Sequence, residues 1–184
     1  MFQTTDETLV KKALKGKADA WDQLITRYER KIFNFTLRMT GNREDAMDLM
    51  QEVFLAVYRN LASFRGESAF SSWLFGIASF RCADFFRKKK PVDSIEEESQ
   101  LGPDLSPETN PFDQVARNQM NRKIVAMLAR LPGEQRLVIE LKFFQEKTFD
   151  EISELLGISS NTLKSRLYGA LRKIRTMPEV AHAM

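Results

Sequence analysis

The chain has 184 residues, of which 43% are hydrophobic and 29% are charged. This composition suits a globular protein with a buried core, and the length accommodates one domain or two small ones. Cysteine and histidine each occur once, as Cys82 and His182. The sequence therefore excludes a disulfide framework, a structural zinc site and Ser-His-Asp or Cys-His catalysis. We predict that the protein is not an enzyme and that it has no catalytic residues, no metal site and no cofactor.

The N-terminus has no basic segment followed by an apolar stretch, so it does not read as a secretory signal. The longest apolar run, residues 73–80, is far shorter than the ~20 residues that a membrane span needs. We predict a cytoplasmic protein with no membrane insertion of its own.

The net charge of +3 hides a strong segregation of charge along the chain. Residues 1–90 carry a net charge of +5, residues 91–116 carry −7 with no Lys or Arg, and residues 117–184 carry +5. The middle segment is also rich in Pro, Ser and Gly, a composition that does not pack a core. We predict an all-α protein in which two small helical domains, residues 1–90 and 117–184, are joined by a flexible acidic linker, residues 91–116.

Helical spacing of apolar residues predicts four helices in the first domain. A short helix follows the capping-box pattern at residues 4–7 and stops at Gly16, and a second helix, capped by Asp19, runs to Gly41. A third helix extends from about Arg43 to Leu61, and a fourth carries residues 73–85 and ends in the basic run 87–90. No segment shows the alternation typical of a β-strand.

The second domain shows a helix-turn-helix pattern. Residues 115–131 and 134–144 are predicted helices, and a capping box at residues 148–151 begins the next one. Gly157 and Ile158 form a tight turn before Ser159 caps the last helix. The predicted C-terminal domain therefore ends in the kind of unit that binds the DNA major groove.

The last predicted helix has one apolar side and one polar side. Its outward residues are Asn161, Lys164, Ser165, Tyr168 and Arg172, and all five charged residues between Ser159 and Arg175 are basic. Lys and Arg recognise guanine acceptors and phosphates, and Asn or Ser recognise base edges. This pattern favours DNA binding; the alternative is a solvated amphipathic helix, which explains the apolar stripe but not the absence of acids.

Two segments of the chain resemble a known family. Residues 45–54 and 64–74 resemble the second conserved region of bacterial extracytoplasmic-function (ECF) sigma factors, and residues 131–175 resemble their fourth region. The order, the spacing and the acidic connector agree with this family, in particular with the group related to the envelope-stress sigma factor. The resemblance implies a subunit that binds core RNA polymerase and directs it to promoters.

The resemblance also implies site residues in the first domain. Core polymerase would be bound by Asp48, Leu49, Gln51 and Glu52, on an exposed helix strip that offers carboxylates to Arg of the partner and a leucine for apolar contact. The alternative for Asp48, and for nearby Asp45, is that they only complement the helix dipole. The minus-ten element, as an opened single strand, would be held by Phe64, Ser68, Phe70, Ser72, Trp73, Arg81, Arg87 and Lys88. Phe70 and Trp73 are equally compatible with a place in the core.

For the minus-thirty-five element the resemblance implies Ser160, Asn161, Thr162, Lys164, Ser165, Arg166, Tyr168 and Arg172. Two departures from the family pattern stand out. The last residue of the segment Ile77-Ala78-Ser79-Phe80 is commonly Asn in the family, so at Phe80 stacking would replace polar base capture. Gly169 occupies a position that is often Arg, which removes an expected basic contact.

The family resemblance implies three partners: core RNA polymerase, promoter DNA and an anti-sigma factor that covers both domains. The acidic linker is either a nucleic-acid mimic inside the polymerase or a solubilising connector. The main alternative function is a stand-alone helix-turn-helix transcriptional regulator that binds duplex DNA without polymerase.

Overall fold

The computed structural model describes residues 4–89 and 119–177. Within those ranges every regular element is a helix, which confirms the predicted fold class. The helices are α1 (Asp6–Leu14), α2 (Ala18–Thr40), α3 (Arg43–Asn60), α4 (Phe70–Lys89), α5 (Gln119–Ala129), α6 (Gly133–Ile139), α7 (Phe149–Leu156) and α8 (Ser160–Arg175). A 3-10 turn, Leu61–Ser63, follows α3, and a π-helical turn, Glu140–Phe144, continues α6. The predicted acidic linker, residues 91–116, lies outside the described residues.

The helix starts follow local capping chemistry, with one difference from expectation. The Thr5 side chain accepts a hydrogen bond from the Thr8 N–H, and the Asn42 side chain accepts one from the Asp45 N–H at 3.0 Å. Asp19 is not the cap of α2, as the sequence suggested, because the helix begins at Ala18 and Asp19 lies inside the first turn. A carboxylate there still stabilises the helix through its dipole.

Helix α2 forms the centre of the N-terminal unit, which comprises α1 to α4. Its residues Ile32, Phe33 and Phe35 are completely buried among the neighbouring helices. The buried Thr36 hydroxyl donates to the Ala46 carbonyl of α3 at 2.9 Å, so the polar group inside this core is satisfied.

The start of α1 is fastened to α2 by a carboxylate. Asp6 accepts hydrogen bonds from the Arg27 guanidinium and from the Tyr28 hydroxyl. Burial and the neighbouring Asp6 carboxylate raise the pKa of Tyr28 above its ordinary value, so the phenol remains a neutral donor. This contact holds the N-terminal helix against the core.

Arg136 organises the C-terminal unit, α5 to α8, from a buried position in α6. Its guanidinium donates to the carbonyls of Ala129 at 2.7 Å and Leu131 at 2.9 Å, which close the end of α5, and to the Met39 carbonyl of α2. Burial lowers the pKa of Arg136 to about 10, so the side chain stays charged at neutral pH. One cation therefore satisfies three carbonyl groups from two helix ends.

Replacing this cation with an apolar side chain of similar length will destabilise the fold. We expect Arg136→Met to lower the free energy of unfolding by about 3 kcal/mol, because three carbonyls lose a charged donor. Urea denaturation followed by circular dichroism measures the change. The exposed Arg172→Met is the matched control and should change stability by less than about 0.5 kcal/mol; an equal effect of the two substitutions would contradict this role for Arg136.

Helices α7 and α8 confirm the predicted helix-turn-helix. The Thr148 side chain and the Glu151 carboxylate form a reciprocal capping box at the start of α7. The bonds that Thr148 donates lower the pKa of Glu151 below its ordinary value, so this carboxylate is ionised at neutral pH. Gly157, with φ of +66°, ends α7, and the Ser159 side chain caps α8.

The two units pack directly against each other. The Arg38 guanidinium of α2 makes a bidentate ion pair with Glu140, with N–O distances of 2.6 and 2.7 Å, and the Glu140 side chain is 0% exposed. Gln145 also donates to Glu140 at 3.1 Å, and Arg38 lies over the Phe144 ring, 4.1 Å from its centroid. The π-helical turn after α6 therefore supplies the main polar contacts between the C-terminal unit and α2.

Gly41 ends α2, and both its backbone conformation and its close packing favour glycine at this position. Its φ of +74° is the left-handed conformation that glycine adopts most easily. A Cβ atom built on Gly41 would lie 2.9 Å from the Cβ of Ala129 in α5. The same residue therefore ends a helix and admits the opposing unit.

The described helices do not cross a membrane: none of them combines the length and the apolar character that a bilayer span requires.

Candidate functional site

The first candidate surface is a polar strip on α3. Asp48, Gln51 and Glu52 are exposed on one side of the helix, as predicted. Leu49 is only 2% exposed and belongs to the core, so it cannot supply the apolar contact of this strip, and that expectation is corrected. The reason is periodicity: Leu49 is one residue away from Asp48, which turns its side chain toward α2.

Leu55, and not Leu49, is the exposed leucine of this surface. It lies four residues after Gln51 and three after Glu52, on the same side of α3, and is 54% exposed. Tyr58 continues this surface and packs edge-on against Trp21, with ring centroids 5.2 Å apart. The α3 strip, defined as Asp48, Gln51, Glu52 and Leu55, combines acceptors for cations with an exposed apolar side chain.

The second candidate surface lies at the start of α4. Phe64, Phe70 and Trp73 form an aromatic cluster with centroid separations of 5.4 to 5.7 Å. Phe70 is 2% exposed and also packs on Tyr28, so it is a core residue and not a stacking platform, which corrects its assignment as a contact to DNA. Phe64 and Trp73 are half-buried beside it.

A groove of about 500 Å³ runs along α4. Its α4 wall contains Ser72, Trp73, Ile77 and Phe80, and Ser68 lies at one end. Phe80 is 55% exposed, whereas its neighbour Ser79 is completely buried and donates to the Phe75 carbonyl at 2.7 Å. Phe80, at the position that departs from the family pattern, is therefore able to meet a ligand.

The basic residues of α4 differ in their exposure and in their partners. Arg81 is half-buried, while Arg87 and Lys88 are exposed near the end of the helix. Arg87 forms an ion pair with Asp84 at 2.6 Å. A phosphate would compete with that carboxylate for Arg87.

The third candidate surface is the outer side of α8. Asn161, Thr162, Lys164, Ser165, Tyr168 and Arg172 are exposed. The described part of α8, from Ser160 to Arg175, contains no acidic residue. A helix with this mixture of cations, amide and hydroxyl groups has the chemistry required to read the major groove.

Several predicted residues of α8 have partners within the protein. Arg166 is paired with Glu134 of α6 at 2.8 Å, and Ser160 donates to Asp150 of α7 at 3.2 Å. The Thr162 N–H bonds to the cap, Ser159. These contacts hold α8 against α6 and α7, so they orient the helix that carries the outward side chains.

Gly169 does not occupy an outward position. A Cβ atom there would lie 3.1 Å from the side-chain nitrogen of Gln135 in α6. A side chain at residue 169 would therefore begin against Gln135 of α6.

Within residues 4–89 and 119–177, no group of three or more His, Cys, Asp or Glu residues is arranged to hold a metal ion. The three candidate surfaces of this helical protein are thus a polar strip on α3, an aromatic groove along α4 and a cationic outer side of α8.

Comparison with known proteins gives the family. Residues 24–92 match the model for sigma-70 region 2, and residues 121–174 match the model for sigma-70 region 4. The chain is 32% identical over 173 residues to the ECF RNA polymerase sigma factor SigW of Bacillus subtilis, covering 90% of this chain and 92% of that protein. It is 30% identical over 179 residues to the ECF RNA polymerase sigma-E factor of Escherichia coli K12, covering 94% and 93%.

Solved structures have the same fold. CnrH in complex with the cytosolic domain of CnrY superposes with a TM-score of 0.62 at 21% identity, covering 92% of this chain and 94% of that one. The sigma factor RpoE of Bartonella quintana, in complex with the anti-sigma factor NepR, gives a TM-score of 0.57 at 20% identity, covering 84% and 93%. The chain belongs to the ECF family of RNA polymerase sigma factors, and it is a DNA-binding transcription initiation factor. Family membership decides against a stand-alone helix-turn-helix regulator.

Proposed function

We propose that the two units of this sigma factor divide promoter recognition between them. The N-terminal domain, residues 1–90, binds core RNA polymerase and reads the opened minus-ten element, and the C-terminal domain, residues 117–184, reads the minus-thirty-five element. The observation that carries this proposal is the separation of three surfaces: the α3 strip, the α4 groove and the outer side of α8. Each surface has the chemistry of a different partner.

The α3 strip is the polymerase-binding surface. Asp48 and Glu52 present carboxylates one helical turn apart, and Gln51 lies between them with an amide. Such a row accepts bidentate hydrogen bonds from arginines of a basic partner helix. Leu55 supplies the apolar contact that a stable interface needs near its charged groups.

The α4 groove holds the opened minus-ten strand. Ser68 and Ser72 offer hydroxyl groups, Trp73 and Phe80 offer aromatic surface, and Arg81, Arg87 and Lys88 follow along the helix. A single strand is bound by base stacking together with cations along the backbone. Phe64 supports Trp73 from the preceding loop, through their ring contact.

A substitution at Phe80 tests the stacking contact. We expect Phe80→Ala to reduce open-complex formation about 10-fold, because one base–aromatic stack contributes roughly 1–3 kcal/mol. Phe80→Trp should retain most of the activity. Permanganate reactivity of unpaired thymines measures strand opening, and the matched control is the similarly exposed Phe143→Ala. Equal opening by Phe80→Ala and the wild type would remove Phe80 from the site.

The outer side of α8 reads the minus-thirty-five duplex. Lys164 and Arg172 lie two helical turns apart on this side, with Asn161, Ser165 and Tyr168 alongside them. The cations contact phosphates or guanine, and the amide and hydroxyl groups contact base edges. Ser160, Thr162 and Arg166 support this surface through their internal bonds.

The protein acts in the cytoplasm, where core RNA polymerase is found, and an anti-sigma factor holds it inactive. The support comes from the relatives: RpoE of Bartonella quintana was solved in complex with the anti-sigma factor NepR. Exposed Tyr168 and Leu171 on α8, and Leu55 and Tyr58 on α3, offer apolar contacts to such an inhibitor.

Reconstitution tests the assignment as a whole. The purified chain should co-elute with core RNA polymerase and give discrete run-off transcripts from a subset of a promoter library. Core polymerase alone, on the same library, is the control. Co-elution without any promoter-dependent transcript would refute the division of promoter reading between the two units.

A further inference from the structure

A second cleft, here called the α2 cleft, lies beside the α4 groove. Its volume is about 460 Å³, which is within the range of roughly 300–1,000 Å³ that small-molecule sites occupy. Helix α2 contributes Lys31, Asn34 and Arg38, which are three and four residues apart and therefore share one side of the helix. The remaining walls are formed by Ser71, Ser72 and Phe75 of α4 and by Phe144, Gln145 and Lys147 of the segment that ends and follows the π-helical turn.

The charge of the α2 cleft is positive. Lys31, Arg38 and Lys147 line it, and no Asp or Glu of the described residues does. Within residues 4–89 and 119–177, the ammonium groups of Lys31 and Lys147 form no ion pair. Lys147 donates to the Ser72 hydroxyl at 3.4 Å, and Lys31 lies over the Tyr28 ring, 5.5 Å from its centroid. Because cations that line one cleft repel one another, a bound anion stabilises this arrangement.

Arg38 is fixed in place without using all of its donors. Its Nε and Nη2 donate to the Glu140 carboxylate at 2.6 and 2.7 Å, and its guanidinium lies 4.1 Å from the centroid of the Phe144 ring. In the part of the chain that the structure describes, Nη1 makes no hydrogen bond. A guanidinium that is already oriented binds phosphate with little loss of side-chain entropy. Arg38 can therefore bind an anion and keep its pair with Glu140.

Neutral polar groups complete the α2 cleft. Ser71 and Ser72 lie in the first turn of α4, where the helix dipole favours negative charge and where hydroxyl groups can donate to it. The side-chain oxygen of Asn34 is buried and has no hydrogen-bond partner among the described residues. A buried polar atom of this kind is usually met by water or by a ligand. Asn34 therefore offers a polar contact that the protein itself does not use.

The residues of the α2 cleft suit a phosphate group attached to a larger molecule. Two ammonium groups, a guanidinium and two hydroxyls supply more donors than a single carboxylate can accept, and they match the many acceptor oxygens of a phosphate chain. The apolar surface of Phe75 and Phe144 and the amide of Asn34 remain for the rest of the ligand. An inorganic ion alone would leave most of the 460 Å³ unfilled.

Promoter DNA is the other source of phosphate, and the charges beside the cleft oppose it. Glu151 and Glu154 line the adjoining α4 groove, which shares Ser72 and Lys147 with the α2 cleft. A strand that continued from the cleft into the groove would bring a phosphate toward these carboxylates with every nucleotide. A short ligand that ends within the cleft meets no such repulsion.

We propose that the α2 cleft is a binding site for a small phosphorylated molecule of about nucleotide size. Lys31, Arg38 and Lys147 bind its phosphate groups, the two serine hydroxyls donate to them, and Asn34 contacts the remainder. The bound molecule touches α2 and α4 of one unit and the segment after the π-helical turn of the other. This inference goes beyond promoter recognition and does not depend on it.

Calorimetric titration of the full-length chain tests the site with three probes: inorganic pyrophosphate, ADP and adenosine. Pyrophosphate and ADP should bind with dissociation constants below about 1 mM. Adenosine has no phosphate and should bind about 10-fold more weakly than ADP, or less, because the cations of the cleft have no anion to bind.

Variants assign the binding to the cleft. Lys31→Gln and Lys147→Gln should each weaken the binding of pyrophosphate and ADP about 10-fold, because each removes a charged donor. Asn34→Asp keeps the size of the side chain and should cause a similar loss, because it adds a carboxylate to the cleft. Arg30→Gln, at an exposed neighbouring position of α2, is the matched control and should bind as the wild type does. Thermal melting verifies the fold of each variant.

Each outcome decides the inference. Pyrophosphate or ADP binding that is weakened by Lys31→Gln and Lys147→Gln but not by Arg30→Gln supports the site. Failure of both probes to bind overturns it, as does equal binding of adenosine and ADP. An equal loss in Arg30→Gln and Lys31→Gln also overturns it, because the attraction then belongs to the charge of the whole chain. A single-stranded minus-ten oligonucleotide that binds through Lys31, where pyrophosphate and ADP do not, assigns the cleft to DNA and overturns the small ligand.

Discussion

Reversing the two carboxylates of the α3 strip, with Asp48→Lys and Glu52→Lys, will weaken binding to core RNA polymerase about 100-fold. Loss of one partner from a buried charge pair costs roughly 2–5 kcal/mol, and reversal adds repulsion. Both residues are exposed, so the fold is not expected to change. Competition with labelled wild type for core polymerase measures the loss, and thermal melting verifies the fold.

The control makes the same change in net charge elsewhere in the N-terminal unit. Glu7→Lys with Glu67→Lys substitutes two exposed acids away from the strip and should compete as well as the wild type. A third variant, Leu55→Ala, should weaken binding to core polymerase about 10-fold. Leu49→Ala should instead lower the free energy of unfolding, because Leu49 is buried. If the Asp48 and Glu52 reversals compete as well as the wild type, polymerase binds elsewhere.

Removing two cations from α8 will have the second largest effect. Lys164→Ala with Arg172→Ala should lower transcription from a promoter with a minus-thirty-five element about 10- to 100-fold. Each cation contributes to phosphate or guanine contact, and a bidentate base contact is worth roughly 1–3 kcal/mol. Core binding should be unchanged, because both residues lie outside the α3 strip.

The salt dependence of promoter binding separates phosphate contacts from base contacts. If both cations meet phosphates, the slope of log K against log salt for holoenzyme should fall by about two. Lys11→Ala with Lys12→Ala removes two exposed cations from α1 and should change neither the slope nor the transcript level. Unchanged transcription and slope in the Lys164 and Arg172 variant would show that the outer side of α8 does not face DNA.

Local chemistry made most of the helices predictable. The capping residues Thr5, Asn42 and Ser159 satisfy the first backbone groups of their helices, as their sequence positions suggest. The reciprocal bonds of Thr148 and Glu151 were visible in the sequence as a capping box. These signals involve residues three apart, and such contacts form regardless of the rest of the fold.

Side-chain direction was harder to predict wherever a family motif and a core position overlap. Leu49 and Phe70 lie inside motifs that suggested partner contacts, yet both are buried. Leu55 and Phe80 lie within one or two turns of the same motifs and are exposed. A helical wheel places Leu49 and Leu55 on different sides of α3, so the burial of Leu49 could be predicted from the sequence. The burial of Phe70 depends on Tyr28, which is distant in the chain.

The contact between the units could not be foreseen from the sequence. Arg38 and Glu140 are 102 residues apart, and nothing in either local pattern marks them as partners. The π-helical turn that presents Glu140 also has no sequence signal of its own; residues 134–144 were predicted as one regular helix. The contact of Gly169 with Gln135 could not be foreseen for the same reason, because it exists only after α6 and α8 pack.

Gly41 and Gly76 offer different prospects to anyone who wishes to engineer this regulator for synthetic gene circuits. Any replacement of Gly41 would damage the end of α2 as well as the contact with Ala129, so its effects on folding and on output cannot be tuned separately. Gly76 lies in ordinary helical backbone and meets only Leu155 across the interface. Side chains of graded size at this one position would therefore loosen the packing of α4 on α7 in steps while leaving both helix ends intact.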